Sequence, residues 1–144
     1  MPEFVLFDID TTLLPTYGKQ ESEGFNYHYQ AHGYHPILCY DALTGDLLRA
    51  QLRDGTDYCS KNSAAFVEPL LAEYRENYPD ISLYARGDSG FATPELYDLF
   101  EDNDVKYAIR LKINSTLLKL AQDEDEALTE ATRFNMIDLS LIHI

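Results

Sequence analysis

The stretch Phe4-Val5-Leu6-Phe7-Asp8-Ile9-Asp10-Thr11-Thr12 constrains this chain most, because it sets two carboxylates into an apolar run. Carboxylates are seldom fully buried unless they are paired or bind a metal. A strand over about Glu3–Ile9 puts Leu6, Asp8 and Asp10 on one face and Val5, Phe7 and Ile9 on the other. Apolar residues on both faces imply a central strand covered on both sides. Acids at the end of such a strand suit a hard cation, Mg²⁺ or Mn²⁺. A second point of the same kind is Arg86-Gly87-Asp88-Ser89-Gly90-Phe91, which follows the apolar run Ile81-Ser82-Leu83-Tyr84-Ala85.

The 144 residues amount to one domain, and 45% hydrophobic with 12% aromatic content is that of a globular chain. No apolar run approaches the roughly 18 residues that span a bilayer, and Met1 is not followed by a signal-peptide pattern, so no membrane partner is expected. Cys39 and Cys59 form neither a CxxC nor a Cys/His metal spacing and read as reduced thiols without a chemical role. A net charge of −14, from 25 acidic against 11 basic residues, argues by itself against a nucleic-acid surface, since phosphate contacts need Lys and Arg. That argument weakens if the chain is a fragment. The last six residues, Leu139-Ser140-Leu141-Ile142-His143-Ile144, look like a frame translation of a transposon mosaic-end adaptor from sequencing libraries. They are expected to lie outside the fold.

In order along the chain, Pro15–Gly33 is polar and reads as a loop with a ragged strand near Asn26–Tyr29. His35–Asp41 and Asp46–Arg53 around a Gly45 turn read as a β-hairpin. Lys61–Asn77 reads as a helix with Phe66, Leu70 and Tyr74 at i, i+4 and i+8, widened by Val67 and Leu71. Pro69 either kinks it or marks where its regular part begins. After the strand at Ile81–Ala85, Thr93-Pro94-Glu95 opens a second helix, with Thr93 as N-cap and Leu96, Leu99 and Phe100 as its apolar stripe. Val105–Lys112 is a further strand and Ser115–Gln122 a short helix; 123–138 is left unassigned. The order β, hairpin, α, β, α, β, α fits a mixed sheet flanked by helices, which is also the order of the ribonuclease-H-like fold.

Two families read the carboxylates differently. Phe7-Asp8-Ile9-Asp10-Thr11-Thr12 resembles the DxDGT motif of haloacid-dehalogenase-type phosphatases, in which Asp8 would be the nucleophile beside Mg²⁺. Thr11 stands where that motif has Gly, however, and no helix follows the strand. Asp8 to Glu21, Gly33-Tyr34-His35-Pro36, Arg86 to Phe91 and Tyr107 to Lys112 together resemble the DDE transposases of bacterial insertion sequences. That resemblance covers 1–138 as a partial catalytic domain, with 139–144 as the adaptor-derived tail. It implies a ribonuclease-H-like fold, incomplete at its C-terminus, and metal-dependent phosphodiester hydrolysis and strand transfer at transposon ends. It assigns catalytic, metal-binding roles to Asp10 and Asp88, with Asp8 as a neighbouring ligand candidate and two Mg²⁺ or Mn²⁺ ions. The family's third acid, a Glu on a late helix, has no counterpart, so the fragment is expected to be inactive.

The same resemblance implies as partners DNA, both terminal inverted repeats and target, and a homodimer in the synaptic complex of the full-length protein. It also implies a cytoplasmic location, at the nucleoid when DNA is bound. Lys19, Arg86, Arg110 and Lys112 are the candidate DNA contacts, each with the plainer reading of a solvated or ion-paired surface residue. His35 and the tyrosines Tyr27, Tyr29, Tyr34 and Tyr40 read first as packing residues. A non-enzymatic acidic interaction domain, with Asp10 and Asp88 structural, is the remaining alternative.

Overall fold

The computed structural model describes residues 3–112, 114–120 and, for the backbone alone, 140–143. The strands are β1 (Phe4–Thr11), β2 (Leu14–Pro15), β3 (Gly24–Asn26), β4 (Ala31–Tyr34), β5 (Ile37–Asp41), β6 (Leu47–Gln51), β7 (Ser82–Gly87), β8 (Val105–Arg110) and β9 (Ser140–His143). Two helices, α1 (Ser63–Asn77) and α2 (Pro94–Asp102), cross between them, and 115–120 is helical. The main sheet runs β6-β5-β1-β7-β8-β9; β2, β4 and β3 form a separate small sheet in the order β2-β4-β3. Strand β1 pairs antiparallel with β5 and parallel with β7, and β7 is parallel to β8, so the sheet is mixed as expected.

Alternation decides which face is sealed. Val5, Phe7 and Ile9 of β1, Leu83 and Ala85 of β7, and Val105, Tyr107 and Ile109 of β8 all join one core. Onto them α1 lays Phe66, Val67, Leu70 and Leu71, and α2 lays Leu96 and Phe100, the stripes expected from their spacing. Phe7 meets Tyr74 edge-on at 5.2 Å and Phe100 meets Tyr107 at 5.3 Å, so both helices cover the same side. The expectation that β1 is covered on both sides therefore holds for one side only among the described residues. On the other side Leu6 and Asp8 are half-buried and Asp10 is exposed. A face that carries two carboxylates cannot be closed by apolar packing without stranding their charge.

Several boundaries move. Helix α1 runs unbroken from Ser63 with Pro69 inside it, so it does not begin at the proline. Thr93 does precede Pro94, but its hydroxyl makes no capping bond. The ragged strand near Asn26 is one edge of the small sheet, and the hairpin turn is held by Asn26 Oδ1, which accepts from the amides of His28 and Tyr29. Residues 140–143, expected to lie outside the fold, pair antiparallel with β8 through Tyr107↔His143 to Arg110↔Ser140. The rest of the expected third helix, 121–122, and the unassigned 123–138 lie outside the described residues.

Candidate active site

The parallel pairing of β1, β7 and β8 brings their C-terminal ends level. Asp8 lies opposite Arg86 and Ile9 opposite Gly87, while Arg86 and Gly87 lie opposite Ala108 and Ile109. Immediately beyond these last paired positions, Asp10 follows Ile9, Asp88 follows Gly87 and Arg110 follows Ile109. All of these side chains that alternate away from the core face the open side of the sheet. There Asp8, Asp10, Arg86, Asp88 and Arg110, with Ile9, Gly87 and Ala108, line an open cleft of about 440 Å³.

Within the cleft the three carboxylates have different partners. Asp8 Oδ2 accepts from Arg86 Nη2 at 2.6 Å, a cross-strand ion pair. That hydrogen bond, and then the charge of Asp8, push the Arg86 guanidinium above its ordinary value. Asp10 is exposed, and its Oδ1 accepts only from the neighbouring amide of Thr11, at 2.7 Å. Asp88 caps the single 3-10 turn Ser89–Phe91, with Oδ1 accepting from the Gly90 amide at 2.8 Å. Neither Asp10 nor Asp88 forms an ion pair with a described residue.

That donor set fits a hard divalent cation. Two carboxylates held by backbone amides, each with an oxygen left over, match the oxygen ligation such ions take, with water completing the shell. No group of three or more His, Cys, Asp or Glu suited to a metal exists among the described residues. Asp8, Asp10 and Asp88 therefore do not make up such a group by themselves.

Around the cleft lie residues to which sequence alone assigned no part in the site. Tyr29, from the small sheet, donates its hydroxyl to the Thr11 carbonyl at 3.1 Å, beside Asp10. Burial raises its pKa, opposed by a side-chain hydrogen bond with Thr11, with smaller upward contributions from the charges of Cys59, Asp10 and Asp88. Thr11 Oγ1 also donates to Cys59 Sγ at 3.5 Å. His35 is buried, with Nδ1 2.6 Å from the Asp57 carbonyl, in keeping with a packing role. Tyr27, by contrast, is 82% exposed and packs against little besides Phe25. Of the expected DNA contacts, Arg86 and Arg110 line the cleft; Lys19 and Lys112 are exposed and do not.

A family model described as "Transposase DDE domain group 1" matches residues 1–137. Among solved structures, the chain is similar to "piggyBac transposase synaptic complex with hairpin DNA", at 15% identity and TM-score 0.53, over 90% of this chain and 27% of that one. It is also similar to a simian T-cell lymphotropic virus intasome in complex with PP2A regulatory subunit B56 gamma, at 13% identity and TM-score 0.47, over 94% of this chain and 45% of that one. At such identity the first likeness shows the fold, a ribonuclease-H-like mixed sheet, and this chain spans about a quarter of that protein's length. No curated protein matches. No helix among the described residues is long and apolar enough to cross a membrane.

Proposed function

This chain belongs to the transposase DDE domain family, group 1, and we propose that its cleft is part of a metal-dependent phosphodiester-transfer site acting on DNA at transposon ends. The observation that carries this reading is the pairing of Asp10 with Asp88. Two carboxylates that form no ion pair with a described residue directly follow the last register pair of adjacent parallel strands and line one cleft.

In this reading Asp10 and Asp88 are the catalytic acids and would hold Mg²⁺ or Mn²⁺, which would supply activation of the attacking oxygen and stabilisation of the leaving oxygen. The amides of Thr11 and Gly90 orient the two carboxylates, so little reorganisation is left for the moment of reaction. Asp8 serves Arg86: by pairing with it, Asp8 fixes a guanidinium at the cleft wall where a DNA phosphate would lie. Arg110 faces the same cleft. A third catalytic carboxylate is needed, and Asp8, the cleft's other acid, is taken up by Arg86, so this portion alone is read as inactive. Synapsis as a homodimer on terminal repeats belongs to the full-length protein. The family match ends at 137, before β9, although residues 140–143 pair with β8.

The phosphatase reading needs Asp8 as a free nucleophile, and its ion pair with Arg86 speaks against that, as does the family match. The test is a Mn²⁺ titration of the 144-residue chain followed by electron paramagnetic resonance. Wild type is expected to bind Mn²⁺, while Asp10→Asn and Asp88→Asn do not, and no variant should hydrolyse p-nitrophenyl phosphate. Returned to its full-length protein, the domain should nick DNA bearing its terminal repeats with Mg²⁺, and Asp10→Asn should not. Wild-type-like Mn²⁺ binding by Asp10→Asn would overturn the reading.

A further inference from the structure

The connection between β6 and α1 is anchored from inside. Arg53 is buried, and its guanidinium donates to four main-chain carbonyls: Nε to His35 at 2.9 Å, and Nη1 to Tyr58 at 3.4 Å, Cys59 at 3.0 Å and Lys61 at 2.9 Å. Burial lowers the pKa of this guanidinium, so its hydrogen bonds are what keep it inside. The consequence is a fixed path for residues 58–61.

What that path delivers is Cys59. Its Sγ accepts from Thr11 Oγ1 at 3.5 Å, directly after Asp10. Its Cβ packs beside Gly90, the residue whose amide holds Asp88, and leaves no room for a side chain there: a methyl built at Gly90 would stand 2.8 Å from Cys59 Cβ and 2.9 Å from Asp88 Oδ1. One small side chain therefore touches both of the turns that carry the cleft's unpaired carboxylates. Tyr29 closes the contact from above by its bond to the Thr11 carbonyl.

We propose that Cys59 is a positioning residue, a wedge between the Thr11 and Gly90 turns that sets the spacing of Asp10 and Asp88 and so the cleft's affinity for a divalent ion. The proposal rests on reading the cleft as a metal site. Bulk added at the thiol spreads the two turns, whereas serine, of similar size and able to accept from Thr11, preserves them. The site can be addressed chemically because the other cysteine, Cys39, is fully buried and its thiol is pushed up to about 12. A neutral maleimide therefore reacts at Cys59 alone.

The experiment compares wild type, wild type treated with N-ethylmaleimide, Cys59→Leu, Cys59→Ser and Asp10→Asn, with Mn²⁺ as probe and circular dichroism as the check on folding. Alkylation and Cys59→Leu are expected to weaken Mn²⁺ about 10- to 100-fold, the range for residues that orient ligands. Cys59→Ser should stay within about twofold of wild type, below the smallest loss of that range. Saturating Mn²⁺ should also slow alkylation of wild type but not of Asp10→Asn. Tight binding by alkylated protein or Cys59→Leu overturns the wedge, as does a Cys59→Ser loss equal to that of Cys59→Leu. Because alkylation is done on folded protein, it decides the matter even where Cys59→Leu fails to fold. A wild type that never binds Mn²⁺, or an Asp10→Asn that binds like wild type, instead overturns the reading of the cleft and the wedge with it.

Discussion

Asp8 and Asp10 lie two residues apart on one face of β1, so replacing each in turn separates a charge partner from the proposed ligand. Asp8→Asn removes the 2.6 Å bridge to Arg86, whose side chain is 54% exposed, against 34% for Asp8. Both groups keep access to water, so the bridge is worth about 0–1 kcal/mol, a fall in Tm of roughly 4 °C at most. The effect on a bound ion is electrostatic. Two strand rises place Asp8 about 7 Å from Asp10. A unit charge acts on a divalent ion at that distance with about 1 kcal/mol in the dielectric of water, and physiological salt removes roughly half. Asp8→Asn should therefore weaken Mn²⁺ only about two- to fivefold. It also leaves Arg86 uncompensated, so Asp8→Asn with Arg86→Gln, which restores the charge of the pair to zero, should recover most of the loss. Asp10→Asn removes a coordinating oxygen and should cost on the order of 100-fold or more. Mn²⁺ titration of the four proteins decides the matter. Equal losses for Asp8→Asn and Asp10→Asn, or no recovery in the double variant, would refute the argument.

Two further outcomes follow from packing and from burial. Gly90→Ala should lower the urea midpoint by the equivalent of about 1–3 kcal/mol, because its methyl meets Cys59 Cβ at 2.8 Å and Asp88 Oδ1 at 2.9 Å. Adding Cys59→Ala should return part of that loss, and a Gly90→Ala variant as stable as wild type would show the contact to be slack. At alkaline pH, Cys39 is the controlling group: burial first, then the charges of Asp8 and Asp41, push its thiol from 9.0 to about 12. The folded state then holds this proton more tightly than the unfolded state, so its contribution is complete below about pH 9 and is lost as pH rises toward 12. Three pKa units correspond to about 4 kcal/mol. Tyr107, raised to about 12 by burial and then by its bond to Glu101, acts in the same direction. Urea unfolding at pH 8, 10 and 11 should show falling stability, with a shallower fall in Cys39→Ala; a flat profile would count against both assignments.

Elements with a long apolar period were legible from the sequence. The stripe from Phe66 to Tyr74, the alternation in β1 and β8, and the β5–β6 hairpin each bury a face that local spacing already defines. The small sheet was not, because β2, β3 and β4 are two to four residues long and carry no period. It is held by long-range contacts instead, such as Asn26 Nδ2 donating to the Gly55 carbonyl at 2.9 Å, and Gly55 itself, where any Cβ would collide with the Gly33 carbonyl. The site divides in the same way. Asp10 and Asp88 stood out because each ends an apolar run. The Asp8–Arg86 pair spans 78 residues, and the Thr11–Cys59 contact spans 48. Nothing near Asp-Gly-Thr-Asp-Tyr-Cys indicates that its cysteine reaches the end of β1. Sheet register joins Asp8 to Arg86, and the Arg53 anchor carries Cys59 to Thr11.

Register also resolves the conflict between a charge of −14 and a DNA substrate. Net charge describes repulsion at long range, whereas binding depends on which face approaches. The exposed acids of α1 and α2, Glu68, Glu73, Glu76, Glu95, Asp98, Glu101 and Asp102, belong to the helices that seal one side of the sheet. The opposite side presents Arg86, Lys106 and Arg110, with the Lys106 ammonium 5.8 Å from the centre of the Tyr84 ring. Alternation in β7 and β8 enforces this division, since the residues between those cations are the ones α1 and α2 bury. A polyanion is therefore repelled by the helical side and meets Arg86, Lys106 and Arg110 on the side where Asp10 and Asp88 stand. The acidic surplus thus favours one orientation of approach to the cleft, and the same period-two pattern that builds the core creates that preference.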